Sequence, residues 1–220
     1  MTAVEFFFDP SCPWTWVASR FVATVSPHRD LAVTWRTWSL PMKNEGRELP
    51  AKLPAEWRER ILRLRGFSVS ALRVLEAAGA AHGNPAIGRL YTELGRRVHR
   101  DGALPDGVIE AALAASGLPA QLISAADDPV WDEPIRDNMD DVRREIGDEV
   151  GVPIVTIVAD GKRRAMAGPI LADVPALGRA LPLWDAVALI VDDPAVFELK
   201  RHRTAGPVFP VLDSDGRAAS

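Results

Sequence analysis

Hydrophobic positions change their period several times along the chain, and each change marks an element. Val4 to Phe8 is an apolar, aromatic-rich run stopped by Asp9-Pro10, which predicts a buried strand. From Pro13, the residues Trp14, Val17, Ala18, Phe21, Val22 and Val25 recur at helical spacing until Ser26-Pro27. Proline suits the first helical position because the N–H it lacks would have no partner there. Leu31 to Trp38 returns to alternation, with Leu31, Val33, Trp35 and Thr37 on one side and Thr34, Arg36 and Trp38 on the other. The opening therefore predicts strand, helix, strand, the minimal parallel α/β unit.

Ser39 to Pro54 breaks the pattern with Pro41, Gly46, Pro50 and Pro54 among charges, a loop long enough to suspect of function. From Ala55 to about Gly147 the periodicity is almost wholly helical, punctuated at Gly66, Gly83-Asn84-Pro85, Asp101-Gly102, Gly117 and Pro119. Its last helix runs from about Pro129 to Ile146. Strand signals return at Ile154 to Val158, followed by an Asp160-Gly161 hairpin turn and Lys162 to Ala167. A closing helix over about Asp173 to Ile190 and a short one over Pro194 to Arg201 complete the pattern. After Gly206 the chain turns polar and small, and its last residues are expected to be disordered. The expected domains are 1–54 with 148–205, a helical insertion over 55–147, and a tail over 206–220.

The chain has 220 residues, 26 Lys+Arg against 30 Asp+Glu, and 47% hydrophobic residues. Those values describe an ordinary globular protein and exclude wholesale disorder. A net charge of −4 offers no basic footprint for nucleic acid. The longest purely apolar run, Ala186 to Val191, falls far short of the roughly 20 residues that cross a bilayer. Glu5 and Asp9 bracket only three Phe residues, so no signal-type core opens the sequence. The expectation is a cytoplasmic protein with no membrane partner. Its single cysteine excludes an intrachain disulfide or a cysteine zinc site, and the histidines show no metal spacing.

That cysteine carries the candidate chemistry. Cys12 stands where the first strand meets the first helix, followed by Pro13, Trp14 and Thr15. A thiol there faces unpaired backbone N–H groups and the positive end of the helix dipole. Both favour thiolate and draw the pKa down from about 8.5. The Thr15 hydroxyl, one turn on, is expected to donate to the sulfur. A lone cysteine is otherwise most often a small buried hydrophobe.

The segment from Phe7 through Cys12-Pro13-Trp14-Thr15 to Trp16 resembles the active-site segment of the DsbA-like branch of the thioredoxin superfamily. Within that branch it is most similar to the mycothiol-dependent (nitro)reductases. Leu90 to His99, Gly151-Val152-Pro153-Ile154, Gly168-Pro169, Leu183 to Ala186 and Phe197 to Arg201 match further landmarks in register. The resemblance implies an α/β thioredoxin-like fold, with the helical insertion dividing its βαβ and ββα halves. It implies a cis Val152–Pro153 bond facing Cys12, with the Val152 backbone pairing a thiol ligand as an added strand would. It also implies that Pro13, Trp14, Tyr91 and His99 bind substrate, the last two on one helical face with Gly95. Trp16 reads as core. Lys43 and Asn44 in the Pro-rich loop are weaker ligand candidates, and Arg58, Arg60, Arg63 and Arg65 read as a solvated face.

Relatives often carry a second, resolving cysteine where this chain has Thr15, so a dithiol cycle is unavailable. A monothiol scheme remains, in which a small thiol from solution resolves the Cys12 intermediate. The resemblance implies mycothiol or another low-molecular-weight thiol for that role, with a small electrophile or disulfide as the other substrate and no metal. Related proteins often pair, but no sequence feature here establishes a homodimer. Ser11 beside Cys12 keeps open a kappa-class glutathione-transferase or 2-hydroxychromene-2-carboxylate-isomerase type, which activates a bound thiol with serine. A non-catalytic thioredoxin-like binding module is the third alternative.

Overall fold

The computed structural model describes residues 1–52, 54–103, 106–159 and 161–219. The chain forms two compact units: one of Met1–Phe8, Cys12–Arg36 and Asp140–Ser220, the other of Asp9–Ser11 and Thr37–Met139. The division falls at residues 37 and 140 rather than at the expected 55 and 148. The tail goes with the first unit, and the short segment before Cys12 goes with the second.

The first unit is built on a four-stranded sheet with strand order β2-β1-β3-β4. Strand β1 (Thr2–Phe8) leads to helix α1 (Pro13–Val25) and then to β2 (Leu31–Thr37). The later strands are β3 (Ile154–Ala159) and β4 (Lys162–Ala167). β3 pairs antiparallel with both β1 and β4, with Phe7 opposite Ile154 and Ile154 opposite Ala167. Of the expected β3–β4 turn, Gly161 takes φ +71° while Asp160 lies outside the described residues. Phe6, Phe7 and Phe8 are all fully buried. Successive strand side chains point to opposite faces, so three buried in a row mean that β1 is covered on both sides. Phe6 and Phe8 meet Trp35 edge-on at 5.6 and 6.3 Å, and the Arg36 guanidinium lies 5.8 Å from the Phe7 ring. The closing helix is α7 of this fold (Leu177–Asp192), whose Trp184 ring lies 6.1 Å from Phe21 of α1.

The tail is ordered, contrary to expectation, through residue 219. Arg20 of α1 is buried with its guanidinium 4.4 Å from the Trp16 ring, and its Nη1 donates to the Gly216 carbonyl at 2.6 Å. A buried guanidinium needs acceptors, and the tail supplies one. The helix expected over Pro194 to Arg201 is absent: Phe197 and Leu199 are 90% and 70% exposed, so no buried face stabilises it.

The second unit is helical: α2 (Leu40–Lys43), α3 (Ala55–His82), α4 (Asn84–Gly95), α5 (Val108–Ala115) and the start of α6 (Asp132–Ile146). Gly66 does not interrupt α3, because an interior glycine costs only about 1 kcal/mol against alanine and the next turns are anchored by buried Phe67, Ala71, Leu72 and Leu75. Gly79 has a packing reason: a Cβ there would lie 2.6 Å from Ile87 Cδ1, so α3 and α4 touch at that point. Among the described residues no helix is long and apolar enough to cross a membrane.

Candidate active site

β1 ends at Phe8 and α1 begins at Pro13, so the intervening segment is held by what its own polar groups find. Cys12 is the N-cap of α1, with extended backbone (φ −88°, ψ 112°) and Pro13 at the first helical position. The first intrahelical bond runs from Trp16 N–H to the Cys12 carbonyl at 3.1 Å. The amides of Trp14 and Thr15 precede it, in the positions a helix leaves without internal partners. The sequence thus places the thiol at the positive end of a helix.

The Cys12 side chain makes no capping hydrogen bond, and the residue is only 8% exposed. Pro13 supplies no N–H at the first helical position. The structure corrects the expectation for Thr15, which is fully buried and whose Oγ1 has no hydrogen-bond partner among the described residues. Its hydroxyl therefore does not donate to the Cys12 sulfur.

Trp16 is fully buried, in keeping with a core role, whereas Trp14 is half-buried and carries the Arg203 guanidinium 5.1 Å from its ring. The Val152–Pro153 bond is cis, as is Gly168–Pro169. The Pro153 carbonyl accepts the Gly168 N–H at 2.8 Å, which ties the loop before β3 to the loop after β4.

Asp9 is a feature that sequence reading treated only as a strand terminator. It is fully buried in the second unit. Its Oδ1 accepts from the Ser11 N–H at 2.8 Å, the Ser11 hydroxyl at 2.6 Å and the Ser68 hydroxyl at 2.8 Å. Its Oδ2 accepts from the Leu40 N–H at 2.7 Å and again from Ser68 at 2.8 Å. Burial pushes the carboxyl up, and these donors offset only part of that. The one local signal was Asp two residues before Ser, an Asx-turn pattern. The Ser11 hydroxyl is thereby spent on Asp9.

Tyr91 is fully buried, and His99 lies beyond it in a π-helical turn over Arg96–Arg100. The wider turn breaks the expected steps of four, so Tyr91, Gly95 and His99 do not continue one helical stripe. His99 Nε2 lies 2.9 Å from the Pro10 carbonyl. A carbonyl can only accept, so Nε2 carries the proton. Desolvation lowers the imidazole from 6.5 to about 4, the Pro10 bond offsetting part of it. Asn44 donates to the Leu40 carbonyl at 2.8 Å, capping α2.

This buried neutral imidazole has a stability consequence. Between about 6.5 and about 4 the unfolded chain binds the proton and the folded chain does not, so stability falls as pH drops through that window. Full titration corresponds to about 3 kcal/mol. Urea unfolding at pH 7 and pH 4.5 should show this loss in the native protein, and His99→Gln should show a distinctly smaller one. Equal losses would mean that other groups carry the acid sensitivity.

Among the described residues no group of three or more His, Cys, Asp or Glu side chains is placed to hold a metal. A cavity of about 350 Å³ in the first unit is lined by Thr24, His28, Pro175, Leu177, Asp213 and Arg217, among others, and by no residue of the Cys12 segment.

Comparison with known proteins yields a match over residues 11–201 to the family model described as Rv2466c-like, mycothiol-dependent nitroreductase Rv2466c. An uncharacterized protein of Mycobacterium tuberculosis, Rv2286c, is 30% identical over 213 residues, covering 94% of this chain and 85% of its own. Among solved structures, the probable DsbA oxidoreductase SCO1869 of Streptomyces coelicolor aligns with a TM-score of 0.58 at 18% identity, covering all of both chains. The cytosolic disulfide reductase DsbM of Pseudomonas aeruginosa aligns with a TM-score of 0.55 at 17% identity, over 85% of this chain and 97% of its own. These structures share the DsbA-like thioredoxin fold.

Proposed function

The chain belongs to the Rv2466c-like mycothiol-dependent nitroreductase family, and from that premise we propose a monothiol oxidoreductase with the Cys12 thiolate as its redox nucleophile. Membership makes it a thiol-dependent oxidoreductase; the monothiol cycle, the identity of the thiol and the residue roles are our reading. The observation that carries it is Cys12 at the N-cap of a thirteen-residue helix, where peptide dipoles favour the anion.

The thiolate attacks one sulfur of a disulfide substrate. A bond forms from Cys12 Sγ to that sulfur, the substrate S–S bond breaks, and the other half leaves as a thiolate with the electron pair. With Thr15 where a resolving cysteine would stand, a second thiol must come from solution, and the family points to mycothiol. Its thiolate bonds to the substrate-derived sulfur of the mixed disulfide, the bond from that sulfur to Cys12 Sγ breaks, and Cys12 leaves as thiolate while the substrate half departs joined to mycothiol. The negative charge that returns to Sγ when the mixed disulfide is cleaved forms at the positive end of α1, which favours Cys12 as the leaving thiolate.

Trp14 and Pro13 would line the approach, and the backbone at Val152, before cis-Pro153, would hold the thiol ligand as an added strand. Tyr91 and His99 were binding candidates by resemblance. The bond from His99 to Pro10 supports a positioning role instead, holding the chain two residues before the nucleophile. The Ser11 hydroxyl, donating to Asp9, speaks against a serine-activated transferase or isomerase.

Incubation with oxidised mycothiol, followed by intact mass measurement and peptide mapping, tests the proposal. One mycothiol adduct confined to Cys12 is the expected result. A protein that stays unmodified under conditions where free cysteine reacts would overturn it.

A further inference from the structure

We propose that Arg203 determines substrate charge at the Cys12 site, favouring electrophiles and disulfides that carry a carboxylate beside the reacting bond. This rests on Cys12 being the nucleophile and adds the class of substrate. Trp14 is the second residue after Cys12, and the Arg203 guanidinium lies 5.1 Å from its ring, within cation–π range. The ring therefore fixes a positive charge beside the nucleophile's segment, although Arg203 lies far away in sequence.

That charge is not neutralised. Arg203 is exposed, and among the described residues it has no carboxylate within ion-pair distance. Other arginines of the first unit are used differently: Arg29 grips Asp185 at 2.6 Å, Arg36 reaches Asp141 at 3.3 Å and Arg164 reaches Asp192 at 3.2 Å. Lys200, Arg201 and His202 precede Arg203 and are exposed too, with Glu198 the only acid from Phe197 to Arg203. An exposed guanidinium free of ion pairs is suited to a planar carboxylate, which it can bind bidentately. An aromatic carboxylate would add stacking on Trp14.

Two aromatic disulfides serve as probes: 5,5′-dithiobis(2-nitrobenzoate), which is anionic, and 4,4′-dithiodipyridine, which is neutral. With either, the Cys12 thiolate forms a disulfide to one arylthio half while the probe S–S bond breaks. The other half leaves as arylthiolate, so the probe is the oxidant and nothing else is consumed. Because each probe is compared between native protein and variant, intrinsic reactivity cancels. Arg203→Ala is expected to slow the anionic probe about five- to tenfold at low salt and the neutral one less than twofold. Arg203→Lys should retain most of the preference, and 0.5 M salt should close the gap, since the pair is exposed. An equal fall with both probes would assign Arg203 a structural role and overturn the inference, as would no change with either. A native protein that reacts with neither probe would instead sink Cys12 as nucleophile, which keeps the two failures apart.

Discussion

Cys12→Ala is expected to reduce thiol-dependent turnover of disulfide or nitroaromatic substrates to background, a loss of at least about a thousandfold in kcat/KM. That is the scale on which covalent nucleophiles fail when removed. No other side chain can take the role, because this is the only cysteine in the chain. The same variant separates the alternatives. A transferase or isomerase that only activates a bound thiol would keep much of its rate without Cys12. A binding module would have no rate to lose, and its Cys12 would alkylate with an ordinary pKa of about 8.5. The pH dependence of Cys12 alkylation in the native protein should instead show a midpoint below that value. Cys12→Ser is the stricter control, since it keeps size and helix-capping ability while removing the sulfur. An active serine variant would end the case for thiolate chemistry.

The second large effect is expected at Asp9, and it is one of stability. Both carboxyl oxygens accept a backbone N–H that cannot rotate away, Ser11 on Oδ1 and Leu40 on Oδ2. Asp9→Asn must therefore set an amide N–H₂ against one of those donors. Asp9→Ala strands both amides together with the buried Ser68 hydroxyl. An unsatisfied buried donor costs about 1–3 kcal/mol, so we expect losses of about 2–3 kcal/mol for asparagine and about 3–5 kcal/mol for alanine. Urea unfolding should read this as a lower midpoint with an unchanged slope. Relief of the buried charge works in the opposite direction, because burial already raises the Asp9 carboxyl. An Asp9→Asn protein as stable as the native one would mean that this relief outweighs the lost acceptor. In that event the four-donor clamp is not what holds the segment ahead of Cys12.

Local chemistry made much of the chain legible. β1, α1, β3 and β4 follow from a run of Phe residues, a 3.6-residue period after Pro13, and an apolar run next to a glycine turn. Cys12 at a helix start was readable for the same reason, since an N-cap is defined by its immediate neighbours. The cis Val152–Pro153 bond came through resemblance, because nothing in Gly151-Val152-Pro153 alone distinguishes cis from trans. The failures share a cause in partners distant along the chain. The order of the tail depends on Gly216 meeting Arg20, 196 residues away in sequence. The missing helix at Pro194–Arg201 lacked a packed surface, which propensity does not report. The π-turn displaced His99 from the stripe that spacing by fours had given it.

What the amino-acid order determined by itself is the period of each element, the placement of one thiol beside the first helix, and the absence of any second thiol to resolve it. Those are matters of adjacent residues and of counting. What tertiary structure decided is which polar groups meet: Asp9 with Leu40 and Ser68, His99 with Pro10, and Arg203 with Trp14. Each pair joins residues at least 31 positions apart, with the farthest, Trp14 and Arg203, near opposite ends of the chain. A buried donor or acceptor takes whatever partner the fold brings within 3 Å, and no periodicity along one segment encodes that.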